Sequence, residues 1–138
     1  MRVLLDTNII IDFFLEREPF FADANAIFEA IATGQVEGYL SASSVTDIFY
    51  ICRRLTQNRE EAKTIVRQTL AVLNVCSIDR SVLEQAIDSG ISDFEDAVQI
   101  AAAIAANLDA IVTRNARDFQ TNQIAVVSVS QLLEQLTG

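Results

Sequence analysis

Histidine and tryptophan are absent from this 138-residue chain, and lysine occurs once, at Lys63. Without histidine there is no imidazole general base, no histidine-containing triad and no histidine-ligated zinc. Cysteine is scarce too. Cys52 and Cys76 both sit in apolar runs and read as buried thiols in a reducing compartment, with a disulfide between them neither required nor ruled out. Any metal site must therefore be built mainly from oxygen, which favours Mg²⁺, Mn²⁺ or Ca²⁺.

Long apolar runs are also missing. No stretch approaches the length that a membrane helix needs, and the apolar Val3-Leu4-Leu5 meets Asp6 too soon for a secretory signal. The expectation is a cytoplasmic protein without a membrane partner. One proline, Pro19, and 4 glycines punctuate the chain without patterning it. There is no repeat, low-complexity segment or linker, so residues 1–138 read as a single domain, long enough to bury a core without staples.

The last shortage is positive charge. Ten basic residues face 19 acidic ones, a net charge of −9. Taken alone this argues against a nucleic-acid partner, because phosphate contacts dominate such affinities. The mean hydropathy of +0.28 points to an apolar face covered by a second copy.

What is present is an alternation of short apolar strands with helices. Strands are predicted at Arg2–Leu5, Gly38–Leu40, Asn74–Ile78, Ala110–Thr113 and Ala125–Ser128. Helices are predicted at Ile9–Leu15, after Pro19, from Ser43 or Ser44, from Asn58, over Ser81–Ser89, over Phe94–Asn107, and from Ser128 onward. Apolar residues at helical spacing support the helices, for example Ala24, Ile27, Phe28 and Ile31. Such alternation implies an α/β fold whose parallel sheet is covered on both faces. Function in sheets of this kind sits beyond the carboxyl ends of the strands, where strand order reverses. That rule directs attention past Leu5 and past Thr113.

Aspartates occupy both places. Asp6 is the first residue beyond the first strand, where it can cap a helix or hold a ligand. Asp118 follows the fourth strand, where it can be a plain turn residue. Asp93 and Asp96, three apart, project from one side of a helix's first turn. The dipole of that helix suffices to explain Glu95, but Asp96 opens an almost wholly apolar stretch and so faces a pocket. Asp47 lies one turn into a helix and, by itself, reads as a solvated charge. If the first and fourth strands are neighbours, Asp6, Asp96 and Asp118 converge, and crowded carboxylates call for a cation.

Asp6-Thr7-Asn8 after an N-terminal strand, Asp93-Phe94-Glu95-Asp96-Ala97 opening an alanine-rich helix, and Thr113-Arg114-Asn115 followed by Asp118-Phe119 resemble the PIN-domain family. Each motif is short; their order, spacing and the total length carry the resemblance, which covers essentially the whole chain. It is strongest to the stand-alone bacterial members, which include the VapC-like toxins of toxin–antitoxin pairs. The resemblance implies a three-layer α/β/α fold with five parallel strands in the order 3-2-1-4-5. It also implies an endoribonuclease that hydrolyses RNA phosphodiester bonds with Mg²⁺ or Mn²⁺. Carried over by position, the catalytic and metal-ligating acids are Asp6, Asp47, Asp96 and Asp118, with Asp93 as a fifth acid. Thr7, Asn8, Thr113 and Asn115 are positioning groups.

Many relatives carry glutamate where this chain has Asp47, and aspartate where it has Asn115. These departures keep open a second reading, a PIN fold of weak or no catalysis that acts as a binding or regulatory protein. A receiver-like phosphoryl acceptor would also use aspartates at strand ends, but it wants a lysine after a late strand, and Lys63 lies inside a predicted helix. In the enzyme reading, one or two ions bridge the aspartates and the scissile phosphate. Two ions add about +4 to the site, so the cations that meet RNA must be local. Arg53, Arg114 and Arg117 are the candidate phosphate contacts, with Arg54 beside the first. The expected substrate is single-stranded RNA, bound weakly and in a salt-dependent way by a homodimer. An antitoxin partner is implied by the resemblance alone, and the residues do not discriminate RNA from DNA.

Overall fold

In the computed structural model, residues 1–119 and 121–137 are described. The order is β1 (Arg2–Leu5), α1 (Thr7–Phe14), α2 (Phe21–Ala32), β2 (Glu37–Ser41), α3 (Ala42–Thr56), α4 (Arg59–Val72), β3 (Asn74–Cys76), α5 (Arg80–Asp88), α6 (Phe94–Ala105), β4 (Ala110–Val112), a 3₁₀ turn at Ala116–Asp118, β5 (Ala125–Val127) and α7 (Val129–Thr137). The strands form one sheet in the order β3-β2-β1-β4-β5, and every pairing is parallel. The expected three-layer α/β/α fold is therefore present.

Strand periodicity makes the layers. Val3 and Leu5 point into one core, with Ile10, Ile27, Ile48 and Leu132. Leu4, between them, points into the other, with Val98, Ala101 and Ile111. The first core packs α1, α2, α3, α4 and α7 on one face of the sheet; the second packs α5 and α6 on the other. Because β1 and β4 are buried on both faces, they read as continuous apolar runs. Each fully buried leucine or isoleucine there is worth about 1.5–3 kcal/mol over leaving it in water.

Local differences from the expected elements have local causes. The helix α3 starts at Ala42 with Ser41 in the capping position. Ser44, expected as a cap, is instead buried, with its hydroxyl bonded to those of Thr7 and Ser41. Leu55 and Leu70, which helical spacing places with the apolar stripes of α3 and α4, are exposed. Asn58 caps α4 as expected, accepting from the Glu61 amide at 3.0 Å. Both cysteines are free and buried, and burial pushes the Cys76 thiol up to about 11. Among the described residues no helix is long and apolar enough to cross a membrane.

Candidate active site

Sheet register builds the site. Leu5 pairs with Val112 across β1 and β4, so the next residues, Asp6 and Thr113, emerge side by side. The Asp6 amide continues the ladder by donating to the Val112 carbonyl at 3.0 Å. The Thr113 hydroxyl donates to Asp6 Oδ2 at 2.9 Å, and in turn accepts the Asn115 amide at 3.0 Å. Thr113, wholly buried, thus ties the end of β1 to the loop that follows β4. The strand order turns about β1 and β4, which is where an open parallel sheet leaves a crevice.

Asp6 sits at the N-cap position of α1, yet its side chain makes no capping hydrogen bond. It is buried at 7% exposure. A buried carboxylate not used as a cap needs another reason to be there. Burial raises its pKa, and the Thr113 hydrogen bond, the nearby Thr7 amide and Gln99 side chain, and the charge of Arg114 pull it partly back.

A cleft of about 480 Å³ opens over Asp6. Of the expected acids, Asp6, Asp47, Asp93, Asp96 and Asp118 all line it, together with Thr7, Asn8 and Asn115. They come from four places in the chain: the end of β1, the second turn of α3, the start of α6 and the 3₁₀ turn after β4. Asp93 also caps α6, its Oδ1 accepting from the Asp96 amide at 3.0 Å. Glu95 lines the cleft too, although the helix dipole alone would account for it. With six carboxylates and one arginine, Arg54, in the lining, repulsion between the acids is strong. The Asp96 carboxyl is raised to about 6, first by burial and then by Asp93, Asp6, Asp118 and Glu95. Glu95 is raised chiefly by the charge of Asp47, then by burial and by a hydrogen bond to Asp47. Among the described residues, no three acids stand close enough to share an ion as they are placed; they face one cleft without yet closing on a point.

Two of the expected phosphate contacts sit elsewhere. Arg114 turns away from the cleft to pair with Asp12, and its guanidinium lies 3.7 Å from the centroid of the Phe20 ring. Arg53 is exposed and outside the lining, whereas its neighbour Arg54 is in it. The reason is helical spacing: Arg54 is seven residues from Asp47, two full turns, and so returns to the same face. Arg117 lines a smaller, adjoining hollow that shares Asp93, Asp96 and Asp118 with the cleft.

Sequence reasoning passed over Gln99 and Asp12. Gln99 is the only polar side chain in Ala97–Ile104 and stands one turn after Asp96, a signal that was available. Asp12 had none, because its two arginine partners arrive from Arg17 and from the distant Arg114. A larger groove of about 1010 Å³ runs between α5, α6 and residues 121–123, and among the described residues its charged groups are Glu84 and Asp88.

No curated protein matched the sequence. Solved structures resemble the fold. VapBC2 from Rickettsia felis, bound to a DNA fragment from its promoter, superposes with a TM-score of 0.72 at 16% identity, covering 93% of this chain and 98% of that one. A toxin–antitoxin complex from Klebsiella pneumoniae gives 0.69 at 23% identity, over 92% and 97%. VapC20 of Mycobacterium tuberculosis, a toxin that cleaves the sarcin–ricin loop, gives 0.65 at 16% identity, over 79% and 86%. The sequence model of the PIN domain matches residues 2–117. With that match over most of its length, and with the sheet order expected for it, the chain belongs to the PIN domain family.

Proposed function

We propose that this protein is a divalent-metal-dependent endoribonuclease, acting on single-stranded RNA as the toxin of a toxin–antitoxin pair. The observation that carries the reading is the convergence of six carboxylates, from four separate segments, on one cleft at the carboxyl ends of β1 and β4. The donor set fits a hard cation: it is all carboxylate oxygen, and beside it in the lining lies a buried amide oxygen, Gln99 Oε1, with no partner among the described residues. Asp6, Asp47, Asp96 and Asp118 would hold Mg²⁺ or Mn²⁺, with Asp93 as a further acid. A bound divalent cation supplies Lewis acidity at phosphorus and lowers the pKa of water.

The chain's own groups position the rest. Thr113 holds Asp6 in place, and Thr7 anchors the start of α1 to Ser44. Asn8 and Asn115 offer neutral hydrogen bonds at the cleft wall. Arg54 in the cleft and Arg117 in the adjoining hollow are the cations offered to phosphate, and they replace Arg53 and Arg114 in that role. The toxin role and the antitoxin partner draw on likeness to the VapBC structures; a homodimer draws on the mean hydropathy and the family resemblance.

A second reading, a PIN fold that binds without cutting, draws on Asn115, which brings no charge to the cleft, and on the spread of the acids. One experiment separates the two. The enzyme reading expects cleavage of a single-stranded RNA oligonucleotide with Mn²⁺ or Mg²⁺, stopped by chelator and abolished by Asp6→Asn in a folded protein. Cleavage that survives Asp6→Asn, or none with any divalent cation, would sink it. A DNA oligonucleotide run alongside reports on the sugar.

A further inference from the structure

Gln99 is the most unusual polar residue in the molecule. It lies on α6, one turn beyond Asp96, in an otherwise apolar stretch, and it is only 6% exposed. It lines the carboxylate cleft. Its amide oxygen, Oε1, is buried and has no hydrogen-bond partner among the described residues. The orphan oxygen thus belongs to a buried side chain that shares the cleft with Asp6.

A buried carbonyl without a donor costs about 1–3 kcal/mol. A leucine or alanine there would extend the apolar face without that cost. The residue is therefore explained by something that satisfies it when bound. The candidates for a donor must come from the cleft, because the helix behind Gln99 is apolar. Inside a ring of carboxylates, the donor with the strongest reason to be present is water polarised by a cation. Mg²⁺ and Mn²⁺ keep part of their hydration shell when carboxylates bind them.

We infer that Gln99 is a positioning residue that anchors the cation's hydration shell at the buried side of the cleft. Its carbonyl oxygen would accept a hydrogen bond from a water held by the cation. This rests on the cation-binding reading of the cleft and adds to it the residue that orients the buried end of the site. Partners in this outer layer commonly change metal affinity 10–100-fold when removed.

The test is Mn²⁺ binding to the purified full chain, by titration calorimetry and by the loss of free-ion signal in electron paramagnetic resonance. The wild type is compared with Gln99→Leu and Gln99→Glu, with circular dichroism as the check on folding. Gln99→Leu is expected to bind Mn²⁺ at least about tenfold more weakly. Gln99→Glu keeps an oxygen in place and is expected to bind as tightly as the wild type or more so. Gln99→Met, unbranched and close to glutamine in length, substitutes for leucine if that variant does not fold. Equal affinity in wild type and the apolar variant overturns the inference while leaving the cation reading intact. Weak binding in both the apolar and the Glu variants assigns Gln99 a packing role and also overturns it. A wild type that binds no Mn²⁺ overturns the cation reading and this inference together.

Discussion

Arg114 Nε donates to Asp12 Oδ2 at 2.9 Å, joining the loop after β4 to the middle of α1. Arg17 takes the other carboxylate oxygen, with Nη2 at 2.8 Å and Nε at 2.9 Å. Asp12 is almost fully buried, while the two arginines are about 30% exposed. The pairing fixes the start of the segment that carries Asn115 and Asp118. Breaking a buried ion pair from one side costs about 3–5 kcal/mol. Here both arginines can turn toward water, so Asp12→Ala is expected to cost about 2–3 kcal/mol. A urea midpoint that does not move would show that the pair adds nothing to stability.

The crowded acids set a pH dependence for the metal-free protein. A carboxyl that is harder to ionise in the folded chain than in the unfolded one holds its proton more tightly when folded. Its contribution favours folding below the unfolded pKa and is lost as pH rises through the folded value. For Asp96 that window runs from its ordinary 3.8 to about 6, and Asp6 and Glu95 act in the same direction. In chelator, Asp96→Asn should therefore be more stable than wild type at pH 7, with the difference shrinking toward pH 4. Thermal melts across that range check it; a variant less stable at every pH would contradict the repulsion argument.

Gly38 lies where β2 meets the helices of the first core. A Cβ there would stand 2.6 Å from Leu73 Cδ2 and 2.7 Å from Ile31 Cδ1. Both neighbours are side-chain tips that can shift, so Gly38→Ala is expected to cost about 1 kcal/mol, at the low end for overpacking. Chemical denaturation gives the number, and a neutral or stabilising result would mean that Leu73 and Ile31 repack freely.

The arginines divide by geometry. Arg54 faces the cleft and Arg53 does not, so only Arg54→Ala should weaken RNA binding appreciably. Loss of one phosphate contact lowers the slope of log affinity against log salt by about 1. Binding of a fluorescent RNA to a cleavage-dead variant at several salt concentrations measures it. Equal slopes for Arg53→Ala and Arg54→Ala would remove the distinction.

Much of the architecture was legible along the chain. Continuous apolar runs at Val3–Leu5 and Ala110–Val112 marked strands buried on both faces. Alternation with helices implied a parallel sheet, and the family resemblance supplied its order. Asp6, Asp96 and Asp118 could be singled out because each breaks an apolar context or follows a strand. Helix starts were harder to place: Ser43 or Ser44 was the expected cap, but α3 begins at Ala42 after Ser41, and Ser44 is buried against Thr7.

By itself the sequence determined the chemistry available: oxygen donors without imidazole, an excess of acid, and strands whose ends carry aspartates. Those are properties of residue type and short spacing, which the chain carries whether folded or not. Only the tertiary structure decided which groups share a space. Arg114 went to Asp12 instead of the cleft, and the acids of β1, α3, α6 and the 3₁₀ turn came to face one space. Sheet register and helix packing make those choices, because they bring together residues up to 107 positions apart, and no local spacing encodes such distances.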